Sequence, residues 1–279
     1  MTRKNSFEGG GTIMEDRRSV VKKYMALLQM KRLPVGVRLV YSKEEYDSFA
    51  AKELTGPLEY CVSVKCAGLG HSIKFRKVTS GCVGSTRALG FEHPSEEFYD
   101  GREGCQLGLF TDPNVAAATN RQVKMLDREL YGCIVKPLSE FEKDPDVVIL
   151  VGRAREMMRV VQGYTCTYGI QPNMSFSGNQ AVCIECTATP LLTGKMNASL
   201  MCSGTRFLAA WGEDEIGIGV PYSQFDGLVQ GVWDTVNGTE PDDRKKQIKT
   251  DLEALGLDCS GMTFGTAYYL DTRPIHKNQ

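Results

Sequence analysis

The run Asp144-Pro145-Asp146-Val147-Val148-Ile149-Leu150-Val151-Gly152 carries the strongest secondary-structure signal in the chain. Five consecutive apolar residues after Asp-Pro-Asp predict a buried strand, and a helix from Arg153 to Gln162 follows a short turn at Gly152. Gly36 to Tyr41 is short, β-branched and aromatic, which predicts a second strand. Met14 to Met30 has the apolar stripe of an amphipathic helix. Strands therefore alternate with helices, and the fold class is α/β or α+β.

Two further helices are indicated by their starting residues. Ser42 with Glu45 three positions later fits a capping box for a short helix. Pro57 is well placed to open a helix from Leu58 to Leu69, which would carry Cys61 and Cys66. The run Val62-Ser63-Val64 keeps a strand possible in that segment.

Composition and charge exclude several classes of protein. The 279 residues include 33 Lys and Arg against 34 Asp and Glu, a net charge of -1, so no overall field favours nucleic acid or an anionic membrane. The most hydrophobic unbroken run, 147–151, is far shorter than the roughly 20 residues that a membrane helix needs. No apolar region follows the basic residues at the start, so we expect residues 1–13 to be a flexible leader of a cytoplasmic protein.

The chain contains signs of an internal duplication. Cys66 and Cys82 are 16 positions apart, as are Cys186 and Cys202, and each second cysteine begins a similar Cys-x-Gly, Thr-Arg, Leu block. A Pro-Ser-Phe block follows at 135–141 and at 220–225. We therefore predict two pseudo-symmetric halves packed as one globular unit, 14–170 and 171–279.

The first half carries an insertion over 92–130. Its sequence is loop-like and glycine-rich up to Gly108, and a helical stretch follows from Asn114 to Leu130. We expect either a lid or partner surface, or a decoration without function.

The ten cysteines carry the functional information. Without an export signal most should be reduced thiols, and a buried free cysteine is ordinarily core filler. Cys82 and Cys202 each follow a probable strand and precede helices beginning near Thr86 and Thr205, where backbone N–H groups and the helix dipole favour thiolate. Gly84 and Gly204 permit close approach of a bulky group. Arg87 and Arg206 are candidates for holding an anion, with ordinary surface ion pairs as the alternative.

Cys183 and Cys186 form a CxxC pair that would share one face of a helical turn. Together with Cys202 and with Cys61, Cys66 and Cys82, they exceed the four soft ligands that a [4Fe-4S] cluster or a tetrahedral zinc requires. The duplication predicts ligands from each half, meeting at a pseudo-twofold axis. The set of four ligands stays open. An offset of 120 residues between the halves pairs Cys66 with Cys186, whereas an offset of 122 residues pairs Cys61 with Cys183.

The chain resembles domain-of-unknown-function family 169. The resemblance rests on Leu33-Pro34-Val35, the 145–162 segment, Cys202-Ser203-Gly204-Thr205-Arg206 and Ile218-Gly219-Val220-Pro221. It implies a cytoplasmic protein of anaerobic bacteria and archaea in which some members look iron-sulfur associated. It also implies that Cys61, Cys82, Cys183 and Cys202 match family cysteines, whereas Cys66 and Cys186 occupy positions of small residues.

Two functions follow as expectations. The first is a reductase or electron-transfer component with a Cys-ligated [4Fe-4S] cluster that meets a small-molecule substrate or a redox partner protein. The second is a non-redox small-molecule binding protein with structural zinc or buried free thiols, and either one could form an oligomer. Catalysis by Cys82 or Cys202 as a nucleophile ranks last, because no histidine base is near. No phosphate-binding glycine motif supports nucleotide binding.

Overall fold

A seven-stranded sheet organises the part of the chain that the structure describes. The structure is a computed structural model that describes residues 10–265. The strands are β1 (Val35–Val40), β2 (Lys52–Glu53), β3 (Ile73–Phe75), β4 (Gly132–Pro137), β5 (Val147–Arg153), β6 (Asn197–Ser199) and β7 (Glu215–Pro221). Their order is β2-β3-β4-β1-β5-β7-β6, and only the short β2–β3 pair is parallel. The class is therefore mixed α/β, as predicted.

The helices precede, separate and follow these strands. In the first part of the chain they are α1 (Gly10–Leu28), α2 (Lys43–Asp47), α3 (Tyr60–Gly68), α4 (Val83–Ala88), α5 (Glu96–Tyr99), α6 (Arg102–Gln106) and α7 (Pro113–Gln122). In the second part they are α8 (Ala154–Tyr168), a π-helix (Ala181–Ala188), α9 (Thr189–Thr193), α10 (Ser203–Phe207), α11 (Phe225–Asp234), α12 (Val236–Thr239) and α13 (Asp242–Ala254). Across residues 10–265, none of these helices has the length and apolar character needed to cross a bilayer.

The pairing registers on the two sides of the sheet centre correspond. The central strands β1 and β5 are antiparallel, and Gly36 pairs with Val148 at their middle. The first residue of β1 pairs with Pro137 at the end of β4, and the first residue of β5 pairs with Pro221 at the end of β7. Beyond them, β3 pairs with β4 and β6 pairs with β7, both antiparallel. A single 3₁₀ turn follows the proline at the end of β4 and of β7.

The sheet is buried on both faces. Along β5, Val147, Ile149 and Val151 pack on the side of α3 and the π-helix, whereas Val148 and Leu150 pack on the side of α1, α8, α11 and α13. This explains the continuous apolar run of β5, which belongs to an antiparallel strand covered by helices on each side. On the second face, α8 and α11 approach so closely that a Cβ at Gly231 would overlap the Gly163 carbonyl oxygen.

Most predicted elements are confirmed, with shifted ends. The structure contains the helices predicted to begin near Met14, Leu58 and Arg153 and the short helix after Ser42. It also contains the strands predicted near Gly36 and Val147. Ser42 caps α2 by accepting the Glu45 N–H at 3.2 Å. Residues 1–9 of the predicted leader lie outside the described residues, and residues 10–13 belong to α1.

The 92–130 segment differs from its prediction. The helix expected from Asn114 to Leu130 ends at Gln122, because the chain turns extended at Val123. The stretch expected to be loop instead forms α5 and α6, which Ser95 and Gly101 begin. Gly101 has φ 84°, and a Cβ there would collide with the first turn of α7, so only glycine fits. The glycines thus set close packing between short helices rather than an open loop.

Candidate functional site

Four cysteines from four separate segments line one small cavity on the α3 side of the sheet. Cys61 lies in the first turn of α3, Cys183 in the π-helix, and Cys82 and Cys202 immediately before α4 and α10. The cavity has a volume of about 60 Å³ and is also lined by Gly84 and Gly204. We call it the thiol cavity. The structure thus brings together the four cysteines that the family resemblance singled out.

Cys82 and Cys202 occupy matching positions. Each is the N-cap of a short helix in extended backbone, and the helices begin at Val83 and Ser203, slightly earlier than predicted. The Cys202 Sγ accepts a hydrogen bond from the Thr205 N–H at 3.4 Å. The absence of side chains at Gly84 and Gly204 keeps both sulfurs uncovered, since a Cβ at either would lie only 3.7 or 3.9 Å from the neighbouring sulfur.

The other two predicted ligands, Cys66 and Cys186, do not line the thiol cavity. Cys66 follows Cys61 by five residues in an α-helix, a rotation of about 140° that places the two thiols on different faces of α3. Cys186 is fully buried, and its sulfur would lie 2.9 Å from a Cβ at Gly217 of β7. Cys186 is therefore a core residue, whereas Cys66 is half-buried against the core.

The expectation that Cys183 and Cys186 share a helix face is wrong. Their segment is a π-helix, whose bonds close over five residues, so a three-residue spacing no longer returns to the same face. Thr187 shows this geometry, because its hydroxyl donates to the Val182 carbonyl five residues earlier at 2.7 Å. The wider turn leaves Cys183 in the cavity and sends Cys186 against β7.

The four thiols interact with one another electrostatically. Burial raises the pKa of the Cys61 thiol to about 11, with a further contribution from the sulfurs of Cys202 and Cys82. Burial also raises the pKa of Cys183 well above its usual range, and the sulfurs of Cys82, Cys202 and Cys61 add to it. Burial and the neighbouring sulfurs thus oppose ionisation of Cys61 and Cys183, and a bound cation would be needed to hold these two as thiolates.

The side chains as they lie do not form a closed single-ion site. Within residues 10–265, no group of three or more His, Cys, Asp or Glu side chains is placed to hold a metal ion. All ten cysteines belong to this part of the chain and are free thiols. The four sulfurs of the thiol cavity therefore line a common space but do not converge on one ion position.

The two predicted anion-binding arginines already have protein partners. The Arg87 Nη1 donates to both carboxylate oxygens of Glu103, at 2.6 and 2.9 Å. Arg206 donates to the carbonyl oxygens of Gly212, Leu200 and Glu215. Arg206 thereby ties α10 to β7, and Arg87 ties α4 to α6. A role in holding an anion stays a prediction for both.

Glu185 and Tyr60 hold the cavity segments in place, and sequence reasoning missed both. The buried Glu185 carboxylate accepts from the Ser177 N–H at 2.6 Å and from the Ser199 hydroxyl at 2.6 Å, which fixes the loop before the π-helix. The Tyr60 hydroxyl bonds to Thr187 Oγ1 at 2.9 Å and so joins α3 to the π-helix. A lone carboxylate within the apolar run 181–188 was the available signal for Glu185.

Comparisons with known proteins agree with the sequence resemblance. The family described as DUF169, uncharacterised ArCR, matches residues 23–231. The chain is 27% identical over 217 residues to Uncharacterized protein MJ0308 of Methanocaldococcus jannaschii, which covers 77% of this chain and 93% of that protein. No solved structure matches the chain. Because the family match spans most of the sequence, including all four cavity cysteines, the chain belongs to DUF169.

Proposed function

We propose that the protein holds a [4Fe-4S] cluster in the thiol cavity and acts as a reductase or electron-transfer component in anaerobic metabolism. The observation that supports this most is the convergence of four cysteines on one cavity from segments far apart in sequence. Four cysteine thiolates are the ordinary ligand set of such a cluster. When bound, the cluster would supply one-electron chemistry.

The residues of the cavity fit such a group. Cys61, Cys82, Cys183 and Cys202 would be its ligands, and Gly84 and Gly204 leave room beside the sulfurs. Thr205 donates its N–H to the Cys202 sulfur, and N–H donors near cluster sulfurs raise the reduction potential. The rigid pairing of Tyr60 with Thr187 would hold the ligand segments at a fixed separation.

Structural zinc in a non-redox binding protein is the second candidate. A tetrahedral zinc site has Zn–S bonds of about 2.3 Å, which places its four sulfurs about 3.8 Å apart. The four thiols surround a cavity of about 60 Å³, several times the roughly 10–15 Å³ that admits one water molecule. This volume favours a polynuclear group over a single ion.

We infer that the two halves arose by internal duplication, with the axis near Gly36 and Val148. The matching registers of β4 and β7, and the matching positions of Cys82 and Cys202, support this inference. In that arrangement, the first half contributes the helix thiol Cys61 and the N-cap thiol Cys82. The second half contributes Cys183 and Cys202 in the same way. We place the protein in a reducing cytoplasm, in agreement with its ten free thiols.

One anaerobic determination of iron, sulfide and zinc tests the proposal. We expect about four iron and four sulfide per chain with broad absorption near 400 nm. Stoichiometric zinc in a colourless protein would favour the second candidate. Cys82→Ser and Cys202→Ser should each abolish cluster binding, and Cys133→Ala and Cys259→Ala are the controls, because neither residue lines the thiol cavity. Full cluster retention in either serine variant would reject the site.

A further inference from the structure

A second cavity lies directly beside the thiol cavity. Its volume is about 220 Å³, and the two share a wall formed by Cys82, Gly84, Asn179 and Gln180. Most of the remaining lining comes from the 92–130 segment, which has no counterpart in the second half. We call it the insertion cavity. A molecule held there would lie against the Cys82 ligand position.

The lining of the insertion cavity is mainly apolar. Its apolar side chains are Val83, Phe98, Leu107, Leu109, Phe110 and Val123. An apolar cavity of about 150 Å³ is large enough to bind benzene in another protein, so about 220 Å³ suffices for one substituted ring. The lining therefore favours a small, largely apolar ligand.

The charges in the lining cancel each other. Arg87 and Glu103 supply the charged groups among the described residues of the cavity wall, and they form an ion pair with both carboxylate oxygens engaged. A ligand with a net charge would have to break this pair or remain without a counter-charge. The wall thus favours a neutral molecule.

The Gln180 side chain offers a polar atom to a ligand. Gln180 Oε1 is buried and accepts no hydrogen bond from the described residues. By contrast, Thr119, Asn120 and Ser177 already donate to protein oxygens. A buried carbonyl without a donor is costly, and a ligand that brings a hydroxyl or N–H group would satisfy it.

We propose that the insertion cavity binds a neutral, one-ring-sized molecule whose hydroxyl or N–H group donates to Gln180 Oε1. The 92–130 segment forms the wall that creates the site. Binding itself does not require a metal, but the role of this ligand as the substrate rests on the proposed function. The shared wall at Cys82 would then place it next to the redox group.

The test uses phenol and toluene, which have nearly the same shape and differ in the hydroxyl. Binding is measured by calorimetry and ligand-observed NMR on the full-length protein, both metal-free and after anaerobic reconstitution. We expect the wild type to bind phenol about tenfold more tightly than toluene, the effect of one hydrogen bond to a buried acceptor. Gln180→Met keeps the side-chain length and should remove this preference while toluene still binds.

A second pair of variants tests the location. Leu109→Trp should fill the insertion cavity and abolish binding of both probes. Leu192→Trp is the matched control, because Leu192 is exposed to the same extent (50% against 51%) and lies on α9, away from the cavity. Failure of wild type to bind phenol saturably, or an unchanged phenol preference in Gln180→Met, would overturn the proposal. Phenol binding by a protein that takes up no iron would retain this site and reject the cluster instead.

Discussion

The CxxC pair of the π-helix offers the sharpest test of which cysteines ligate, because Cys183→Ala and Cys186→Ala each remove a single sulfur from the same helix. Cys183 lines the thiol cavity, whereas Cys186 is fully buried against β7. Sequence spacing alone makes both residues ligand candidates. The structure predicts opposite results for the two variants.

Cys183→Ala should lose the cluster. Changes to the partners of metal ligands already lower metal affinity by about 10–100-fold, so loss of a ligand should lower it by more than about 100-fold. Cys186→Ala should keep full iron content. Its cost is a cavity the size of one sulfur, about 1 kcal/mol by comparison with deletion of a buried methyl group. In a chain of this size, that corresponds to a Tm lower by about 2–4 °C.

The assay is iron and sulfide content per chain after anaerobic reconstitution and desalting, with Tm measured on the metal-free proteins. Comparing metal-free Tm values separates misfolding from ligand loss, because both variants remove the same atom. Wild-type iron content in Cys183→Ala would refute the assignment of the thiol cavity. Loss of iron from a stably folded Cys186→Ala would show that the π-helix orients the pair differently in solution.

Three further predictions follow from individual contacts. The raised pKa of Cys61, about 11, keeps its thiol protonated at neutral pH. In metal-free protein, alkylation of Cys61 should therefore be slow at neutral pH and become faster as the pH rises toward 11, as followed by mass spectrometry. Exposed Cys166 is the control and should react readily at pH 8. Gly231→Ala should lower the free energy of unfolding by about 3 kcal/mol in urea titrations, whereas Gly238→Ala, with open space around its Cα, should cost little. Glu185→Gln should cost about 1–2 kcal/mol by weakening charge-assisted bonds, with faster hydrogen exchange in the loop that the carboxylate holds; unchanged exchange would contradict that role.

The sequence predicted local structure better than side-chain direction. The apolar run of β5 and the serine cap of α2 are local signals, and both elements are present. The π-helix was not predictable, because nothing in Ala-Val-Cys-Ile-Glu-Cys-Thr-Ala distinguishes it from an α-turn. Its wider turn depends on packing against the glycines of β7, Gly217 and Gly219, which are distant in sequence. Telling the four cysteines that line the thiol cavity from Cys66 and Cys186 therefore required either the resemblance or the fold.

The position of the 92–130 segment beside the thiol cavity could not be predicted from the sequence, for a related reason. Its apolar residues Leu107 and Leu109 are largely exposed, which in isolation resembles surface decoration. Only the fold shows that they face a cavity whose other wall includes Cys82 and Gln180.

The proposed duplication and the insertion assign separate tasks to separate parts of the chain. The N-cap cysteines and their glycines occur in both halves, so a metal site at the axis would be built from the repeated framework alone. Of the four thiol-cavity cysteines, only Cys82 also lines the insertion cavity, and the insertion contributes no sulfur to the thiol cavity, although it contains Cys105. Changes confined to 92–130 should therefore alter which small molecule binds and leave metal content unchanged. Ligand choice and cofactor binding would then be separable by mutation even though Cys82 and Gly84 line both cavities.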